Sequence, residues 1–438
     1  MSDPRRIAVI GTGYVGLTAA GCLASMCHHV ICADNSTSRV ELLSNGVVPI
    51  LEEGLPSLIR EMVDKGRLRF TNSNIEAVLD AEFVFLCLPT PEGANGNADL
   101  SAVEAVALEI GPHLLPNSVV INKSTVPVGT AFLIRDLLCR RDVDVVSNPE
   151  FMSEGSAVLD FLQPDRIVIG AESSEIGYRV AELYGDTSKH RCLVVDIPSA
   201  ELIKYASNAY LATRLTFINS IATYCEAVGA DIKTVSLGMG ADQRIGPSFL
   251  SAGPGWGGSC LTKDTRALVQ MAERAGCELS LVKTVVEVND QHTRQVAVKV
   301  ATALDGTIAG KVVAVWGLTF KAGTDDTRNS PALKIADILR GWGAIVVAFD
   351  PVILGPIEGL RIASSKEEAC IGADVLLVAT EWSEFASADL SVIGKLMSNR
   401  IIVDSRNIID MEEAIDAGFE YTGVGRGNVK TLADKVAK

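Results

Sequence analysis

The sequence predicts an α/β protein in which two doubly wound, mostly parallel sheets are joined by a long central helix. Three observations carry that expectation. β-rich apolar runs alternate with helical patterns from Arg5 to Ile169; a nearly unbroken helical pattern runs from Ser199 to about Met239; and a second strand-helix series begins at Lys311. At 438 residues the chain exceeds what one core usually supports. The expected division is therefore 1–198, a first α/β domain; 199–300, a helical linker and dimerisation region; and 301–438, a second α/β domain.

Composition narrows the class of ligand. With 48% hydrophobic and 21% charged residues the chain reads as an ordinary soluble globular protein, and a formal charge of -15 argues against nucleic acid as a partner. A small anionic ligand stays possible where local lysines, arginines and helix N-termini hold it. The ten cysteines have no regular spacing and suit a reducing, cytoplasmic compartment; there are no CxxC pairs, and the adjacent His28 and His29 cannot face one metal, so no metal is expected. Arg5-Arg6 and the uncharged run that follows to Ala33 imitate a signal peptide or a membrane span, and Ala20-Gly21-Cys22 imitates a lipoprotein site. The glycine spacing inside the run gives a better account, so neither cleavage nor a membrane partner is expected.

The first elements read in order as strand, tight turn and helix. Arg5 to Ile10 is the strand, Gly11-Thr12-Gly13-Tyr14-Val15-Gly16 the turn, and a helix continues to about Met26. A second strand, His29 to Asp34, ends in an acid eighteen residues past Gly16, the distance at which a dinucleotide fold sets a carboxylate on the adenosine ribose. In that setting Gly11 allows the turn, Gly13 admits the pyrophosphate, Gly16 lets helix and strand pack, and the helix N-terminus faces the phosphates. Asp34 repels a 2′-phosphate, so NAD is favoured over NADP, although Arg39 is the kind of residue that holds one. Further strands are expected at Phe83 to Leu88, Val119 to Asn122, Val143 to Ser147 and Arg166 to Ile169. Ligand residues in such a sheet lie past the carboxyl ends of its strands, which singles out Pro89-Thr90-Pro91, Lys123 to Pro127, and Asn148 to Phe151 with Glu154. Any loop uses Pro, Ser, Thr and Asn, so each turn taken alone carries little.

The long helical pattern, with a possible break near Gly229, places Lys204 and Asn208 four residues apart on one face. A lysine aimed into a cleft stabilises an oxyanion; a lysine on a solvated face does nothing of the kind. Asp242 to Gly246 follows, with Arg244 suited to an anionic or polyhydroxy ligand. Then comes GPGWGGSCLTKD, residues 253 to 264. Four glycines, a proline and a tryptophan precede Cys260, a composition that lets backbone approach a ligand and presents a sulfur. With a helix starting near Ser259, Lys263 and Asp264 lie within one turn of the thiol, where they lower its pKa or handle protons. Most cysteines are buried fillers; this setting makes Cys260 the candidate nucleophile. In the second series, KVVAVWGL from Lys311 is a strand, Thr319 to Arg328 an acidic loop, and Ser330-Pro331 a helix start. Ala344 to Asp350, Ala373 to Thr380 and Arg400 to Asp404 supply more strands. The series lacks the glycine fingerprint, so it binds its ligand differently and is read as the substrate's domain.

The chain resembles the UDP-glucose/GDP-mannose dehydrogenase family over essentially its whole length. The resemblance rests on GTGYVG at 11–16, PTP at 89–91, KSTVPVGT at 123–130, NPEFMSEG at 148–155 and PDRIVIG at 164–170. It continues through ELIKYASNAYLATRLTFINSIA at 201–222, DQRIG at 242–246, GPGWGGSCLTKD at 253–264, GLTFKAGTDDTRNSPAL at 317–333 and DSRN at 404–407. Two departures stand out: Leu261-Thr262 where the family often has a proline before Lys-Asp, and Ser147 where an aromatic often precedes Asn-Pro-Glu. Neither removes a chemical group.

The resemblance implies two Rossmann-like domains and oxidation of a nucleotide sugar's 6-hydroxyl to a carboxylate with two NAD. UDP-glucose is the implied substrate, with GDP-mannose and UDP-N-acetylmannosamine as alternatives. Cys260 forms a thiohemiacetal and then a thioester; Lys204 and Asn208 stabilise the developing oxyanion; Asp264 and Thr125 position a water; and Glu150 exchanges protons. The NAD site takes in Gly11, Gly13, Tyr14, Val15, Gly16, Asp34, Arg39, Thr90, Thr125, Glu154, Lys263 and Arg328. The sugar nucleotide touches Glu150, Phe151, Lys204, Asn208, Phe249, Gly253, Gly257, Phe320, Lys321 and Arg406. Arg244 reaches the neighbouring subunit's sugar, which implies a homodimer paired through the long helix. Outside this reading stand a two-electron hydroxyacid dehydrogenase, which has no use for a nucleophilic thiol, and a nucleotide-sugar sensor that keeps the fold without the chemistry.

Overall fold

The computed structural model describes residues 3–93, 98–187 and 191–426. The chain folds as two compact units, Met1–Ser207 with Gln270–Cys277, and Asn208–Val269 with Glu278–Lys438.

The first unit is built on an eight-stranded sheet. Its strands are β1 (Arg6–Ile10), β2 (His29–Ala33), β3 (Leu68–Thr71), β4 (Phe83–Leu86), β5 (Val119–Asn122), β6 (Asp144–Ser147), β7 (Ile167–Gly170) and β8 (Cys192–Val195), in the order β3-β2-β1-β4-β5-β6-β7-β8. Every neighbouring pair is parallel except β6 and β7, which meet antiparallel at Ser147 and Gly170. Alternate residues enter opposite layers, as a sheet covered on both faces requires. Ile7, Val9, Phe83 and Phe85 belong to one core, and Ala8, Ile10, Val84 and Leu86 to the other. Strands β3 and β8 lie outside the expected set. They are the sheet's edges, and their exposed positions break the continuous apolar run that marks an inner strand.

The second unit carries a six-stranded, fully parallel sheet. It comprises β9 (Val312–Trp316), β10 (Ile345–Phe349), β11 (Arg361–Ile362), β12 (Val375–Val378), β13 (Ile401–Asp404) and β14 (Glu420–Gly423), ordered β11-β10-β9-β12-β13-β14. Val313 and Val315 face one core, Ala314 and Trp316 the other. This order repeats that of the first six strands of the other sheet, so both units are Rossmann-like, with the switch point beside the first strand. The repeat extends to atomic detail. Gly11 N–H donates to the Ala33 carbonyl and Gly317 N–H to the Phe349 carbonyl, each at 2.8 Å. Asp34 Oδ2 then accepts from Thr12 N at 3.0 Å, and Asp350 Oδ2 from Leu318 N at 2.7 Å.

The long helix is Ile197–Val228, 32 residues or about 48 Å of rise. It stops at Gly229, whose φ of 77° suits glycine. A separate helix, Ile232–Gly240, follows, with Asp231 capping the Thr234 amide. The break expected near Gly229 is thus present, and the pattern to Met239 is two helices. Helix Ser259–Arg274 begins one residue before Cys260. Helix Ser280–Ala303, whose bounds were not among the sequence expectations for the helical region 199–300, buries a stripe at Val285, Asn289, His292, Thr293, Val296 and Val300. Among the described residues no helix is long and apolar enough to cross a membrane; the apolar start of the chain is β1 and a 12-residue helix, Tyr14–Ser25.

Candidate functional site

In the first unit the glycine turn has the shape of a phosphate cradle. Gly11 takes φ 103°, and a Cβ there would lie 2.4 Å from the Cys87 carbonyl oxygen; one on Gly16 would lie 1.9 Å from the Gly11 oxygen. A Cβ on Gly13 would meet nothing within 4 Å. Two glycines are therefore demanded by the protein's own packing, while the third leaves open space at the start of helix Tyr14–Ser25, where a dinucleotide's pyrophosphate fits. Val15 packs into the core beneath. Tyr14 turns its hydroxyl to the Glu52 carboxylate, and the Gly155 amide donates to both. That network ties the glycine turn to the loop carrying Glu154.

Asp34 stands at the end of β2. Its Oδ2 accepts from the Thr12 amide and hydroxyl, and its Oδ1 accepts from Ser36 N at 2.9 Å. Burial pushes the carboxyl up, but these hydrogen bonds and the Arg39 guanidinium outweigh it and hold the pKa below the usual range. Arg39, 3.9 Å away, is half-exposed. Thr90 donates its hydroxyl to the Thr125 carbonyl at 2.9 Å, joining the loops that follow β4 and β5.

Past β6, Glu150 is buried with both oxygens engaged: Lys204 Nζ donates to Oε1 at 2.9 Å and Met152 N to Oε2 at 2.6 Å. Burial pushes this carboxyl up, and the Lys204 charge and hydrogen bond, the Met152 amide and the Lys123 charge bring it net below its ordinary value. Glu150 is therefore a carboxylate at neutral pH, an acceptor of protons. The Phe151 ring lies under Lys204 Nζ at 5.4 Å and under the Arg166 guanidinium at 3.8 Å. A cavity of about 280 Å³ opens against Lys123, Asn148, Glu150, Phe151, Arg166 and Tyr184.

In the second unit the thiol loop is clamped by buried polar side chains. Asn219 Oδ1 accepts from Gly253 N at 2.9 Å, His292 Nε2 bonds the Gly253 carbonyl at 2.8 Å, and Thr293 donates to the Pro254 carbonyl at 3.1 Å. Asn289 bridges Trp256, accepting from its N–H at 2.9 Å and donating to its carbonyl at 3.0 Å; the indole N–H donates to Thr216 Oγ1 at 2.8 Å. The glycines follow from that closeness. A Cβ would lie 2.7 Å from Thr293 Oγ1 at Gly255, 2.3 Å from the Asn329 carbonyl at Gly257, and 3.0 Å from the Phe320 ring at Gly258. Cys260 is exposed in the first turn of helix Ser259–Arg274. One turn on, buried Asp264 accepts from Asn208 Nδ2 at 2.6 Å and from Lys263 Nζ at 2.7 Å.

Other expected ligand residues of this unit gather around the end of β9. Arg406 donates to the Ala379 and Phe320 carbonyls at 3.0 and 2.8 Å, and a Cβ on Gly253 would lie 3.1 Å from its Nη1. Lys321 Nζ lies 5.7 Å from the Phe320 ring centre. Arg328 reaches Asp326 at 2.8 Å. Phe249 is exposed with φ 59°. Arg244 stands out in solvent, 89% exposed, against Asp242. Sequence reasoning missed Glu52, Asn219, Asn289, His292 and Thr293 as supporting groups. For the last three the apolar pattern gave no signal, since polar residues occupy part of the stripe that helix Ser280–Ala303 buries.

Three family models match the chain in order. They are the NAD binding domain of the UDP-glucose/GDP-mannose dehydrogenase family over residues 5–188, its central domain over 198–291, and its UDP binding domain over 314–411. The chain is 44% identical over 434 residues to the UDP-glucose 6-dehydrogenase of Rhizobium meliloti, covering 96% of this chain and 99% of that one. Among solved structures it is similar to a UDP-glucose dehydrogenase from Pyrobaculum islandicum, at 33% identity and TM-score 0.88, covering 97% of this chain and 98% of that one. It is also similar to a UDP-D-ManNAc dehydrogenase from Pyrococcus horikoshii, at 29% identity and TM-score 0.87, covering 97% and 100%.

Proposed function

Because the chain belongs to the UDP-glucose/GDP-mannose dehydrogenase family, we propose that it oxidises UDP-glucose to UDP-glucuronate, a four-electron change carried by Cys260. It is an NAD-dependent oxidoreductase, and NAD is its cofactor. When bound, NAD accepts a hydride at each of the two oxidations; Gly11, Gly13, Tyr14, Val15, Gly16, Asp34, Arg39, Thr90, Thr125, Glu154, Lys263 and Arg328 are the residues to hold it. The observation that carries the reading is Cys260 itself, presented on a clamped glycine loop at a helix N-terminus with Asp264 one turn away.

The chain's own groups then act in sequence. Glu150, ionised beside Lys204, takes the proton of the 6-hydroxyl as its carbon is oxidised to the aldehyde. The Cys260 thiolate adds to that aldehyde, forming a C–S bond, and the new alkoxide is met by Lys204 and Asn208. Loss of the second hydride turns this thiohemiacetal into a thioester, so the half-oxidised sugar stays attached. Water positioned by Asp264 and Thr125 attacks the thioester, the C–S bond breaks, and the thiol and a carboxylate are released.

Residues 1–198 hold NAD, 199–300 carry the thiol loop, and 301–438 receive the UDP-sugar through Phe320, Lys321 and Arg406, with Phe151, Phe249, Gly253 and Gly257 lining its approach. We expect a homodimer paired through the long helix. Tyr210, Phe217 and Tyr224, 61%, 49% and 65% exposed, recur every seven residues and so present one apolar face. Arg244, exposed beyond it, serves the partner's sugar. We expect no nucleic-acid partner, given the formal charge of -15, and a cytoplasmic enzyme, given ten irregularly spaced cysteines beside a nucleotide cofactor. GDP-mannose and UDP-N-acetylmannosamine are the alternatives, the latter favoured by the likeness to the Pyrococcus horikoshii enzyme. The deciding experiment is a panel of nucleotide sugars with NAD, counting NADH per sugar consumed. Two NADH with UDP-glucose and little with the others is expected; one NADH per sugar, or binding without turnover, overturns the reading.

A further inference from the structure

Lys123 belongs to the motif that carries Thr125, is 4% exposed, and has no part in the oxidation as set out above. It follows β5 directly. Its Nζ donates to Asn148 Oδ1 at 3.2 Å and lies 3.5 Å from the Asn148 carbonyl and 3.3 Å from the Tyr184 hydroxyl. The rings of Phe161 and Tyr184 stand 5.6 and 5.8 Å from it. Asn148 is fixed further by its own donation to the Val168 carbonyl at 2.8 Å and by the Tyr184 hydroxyl. Two residues on, past the stiff Pro149, is Glu150.

A buried ammonium is costly, and a methionine fills the same space without that cost. What the charge provides is a grip on both oxygens of Asn148. We propose that Lys123 is a positioning residue for the oxidation: its ammonium clamps Asn148 and so fixes the turn that presents the Glu150 carboxylate to Lys204. The proposal rests on the roles given to Glu150 and Lys204 above.

The titratable groups that face the amine are Cys87 beyond β4, whose thiol burial pushes up to about 12 and so keeps neutral, Glu150 beyond β6, and Lys204 of the long helix; the Tyr184 hydroxyl completes its surroundings. Burial pulls the Lys123 amine down to about 8, against the attraction of Glu150. The clamp is therefore charged below pH 8 and loses its charge above it. Its charge also helps to keep Glu150 ionised.

The test compares wild type with Lys123→Met, Lys123→Arg and Tyr184→Phe over pH 6 to 9.5, following NADH formed from UDP-glucose and NAD. Lys123→Met should lower kcat/KM at pH 7 by about ten- to a hundredfold, mostly in kcat, since the carboxylate is misplaced rather than removed. The ratio of wild type to Lys123→Met should shrink toward pH 9.5, where the wild-type amine is neutral too. Lys123→Arg should recover part of the loss at pH 7. Should arginine be too large to fold, Tyr184→Phe carries the test. It removes one hydroxyl beside the amine and one donor to Asn148, and should give a smaller loss, again in kcat. A wild-type to Lys123→Met ratio constant across pH, with kcat and KM unchanged by Tyr184→Phe, assigns Lys123 to packing alone and overturns the proposal. A wild type that yields no NADH from UDP-glucose overturns the functional reading and this proposal together, whereas an active wild type with a flat ratio and an unchanged Tyr184→Phe overturns only the latter.

Discussion

Truncating Asn289 tests whether the thiol loop is held from behind, as its hydrogen bonds require. The side chain is 3% exposed and makes two bonds to the main chain of Trp256. Asn289→Ala leaves a buried N–H and a buried carbonyl without partners, at about 1–3 kcal/mol each, or about 2–6 kcal/mol together. A water entering the vacated space recovers part of this, so about 3 kcal/mol is the working figure. For a unit of this size that corresponds to a fall of about 6–12 °C in Tm. Calorimetry of the unliganded protein reads the stability, and steady-state kinetics read the loop. A thiol displaced by about an ångström costs about a hundredfold in kcat, whereas the Kd for NAD should rise far less, because of the residues named to hold NAD only Lys263 and Arg328 belong to the unit of Asn289. A Tm within about 1 °C of wild type together with unchanged kcat would refute the clamp. A loss of NAD affinity equal to the loss of kcat would instead mean general unfolding.

Gly13→Ala should fold as stably as wild type, because its Cβ meets nothing within 4 Å, yet raise the KM for NAD about tenfold or more by occupying the cradle. Gly16→Ala should lose several degrees of Tm before any ligand is added, its Cβ overlapping the Gly11 carbonyl at 1.9 Å; equal thermal stability of the two variants would contradict the packing described. Cys260→Ser should fail to deliver two NADH per UDP-glucose and stall after the first oxidation or hold a bound intermediate, and full turnover by it would remove the covalent mechanism. Burial lowers the pKa of His292 below its ordinary 6.5, against the bond to the Gly253 carbonyl. Its neutral form thus contributes stability that is full above about pH 6.5 and is lost as pH falls toward the folded-state value. The Tm difference between wild type and His292→Gln should accordingly shrink from pH 7.5 to 5.5, and a difference independent of pH would remove the histidine from the account.

Inner strands were legible because burial on both faces writes an unbroken apolar run, as in FVFL of β4 and VLLV of β12. Edge strands were not. In β3, LRFT carries an exposed arginine, and β11 is only Arg361–Ile362. The glycine turn and the thiol loop were legible because close backbone approach restricts residue type at fixed spacing. Partners distant in sequence were not. Spacing put Lys204 and Asn208 on one face and suggested that they act as a pair. In the structure each donates to its own carboxylate, Glu150 and Asp264, 54 and 56 residues away. No periodicity encodes such a separation. The same holds for Asn289, His292 and Thr293, whose polarity hid the buried face of their helix from a pattern search that expects apolar residues there.

The repeated turn shows why one half carries the fingerprint and the other does not. Gly11 and Gly317 both have φ near 100° and both precede a residue whose amide is held by an acid from the next strand. After Gly11 a helix starts at once, at Tyr14, so its N-terminal amides lie at the switch point; after Gly317 the next helix starts only at Pro331. Without a helix end to approach, the second turn has no need of the open glycine that Gly13 supplies. Leu318 and Thr319 fill that stretch and are wholly buried. Asp350 is sealed with them at 1% exposure, so it serves as a clasp for the turn and cannot reach a ribose, whereas Asp34 keeps an exposed edge. On the proposed function, a ligand at the second sheet is met by side chains of the long loop and of β13's end, Lys321 and Arg406 among them, because Leu318 and Thr319 close the turn itself.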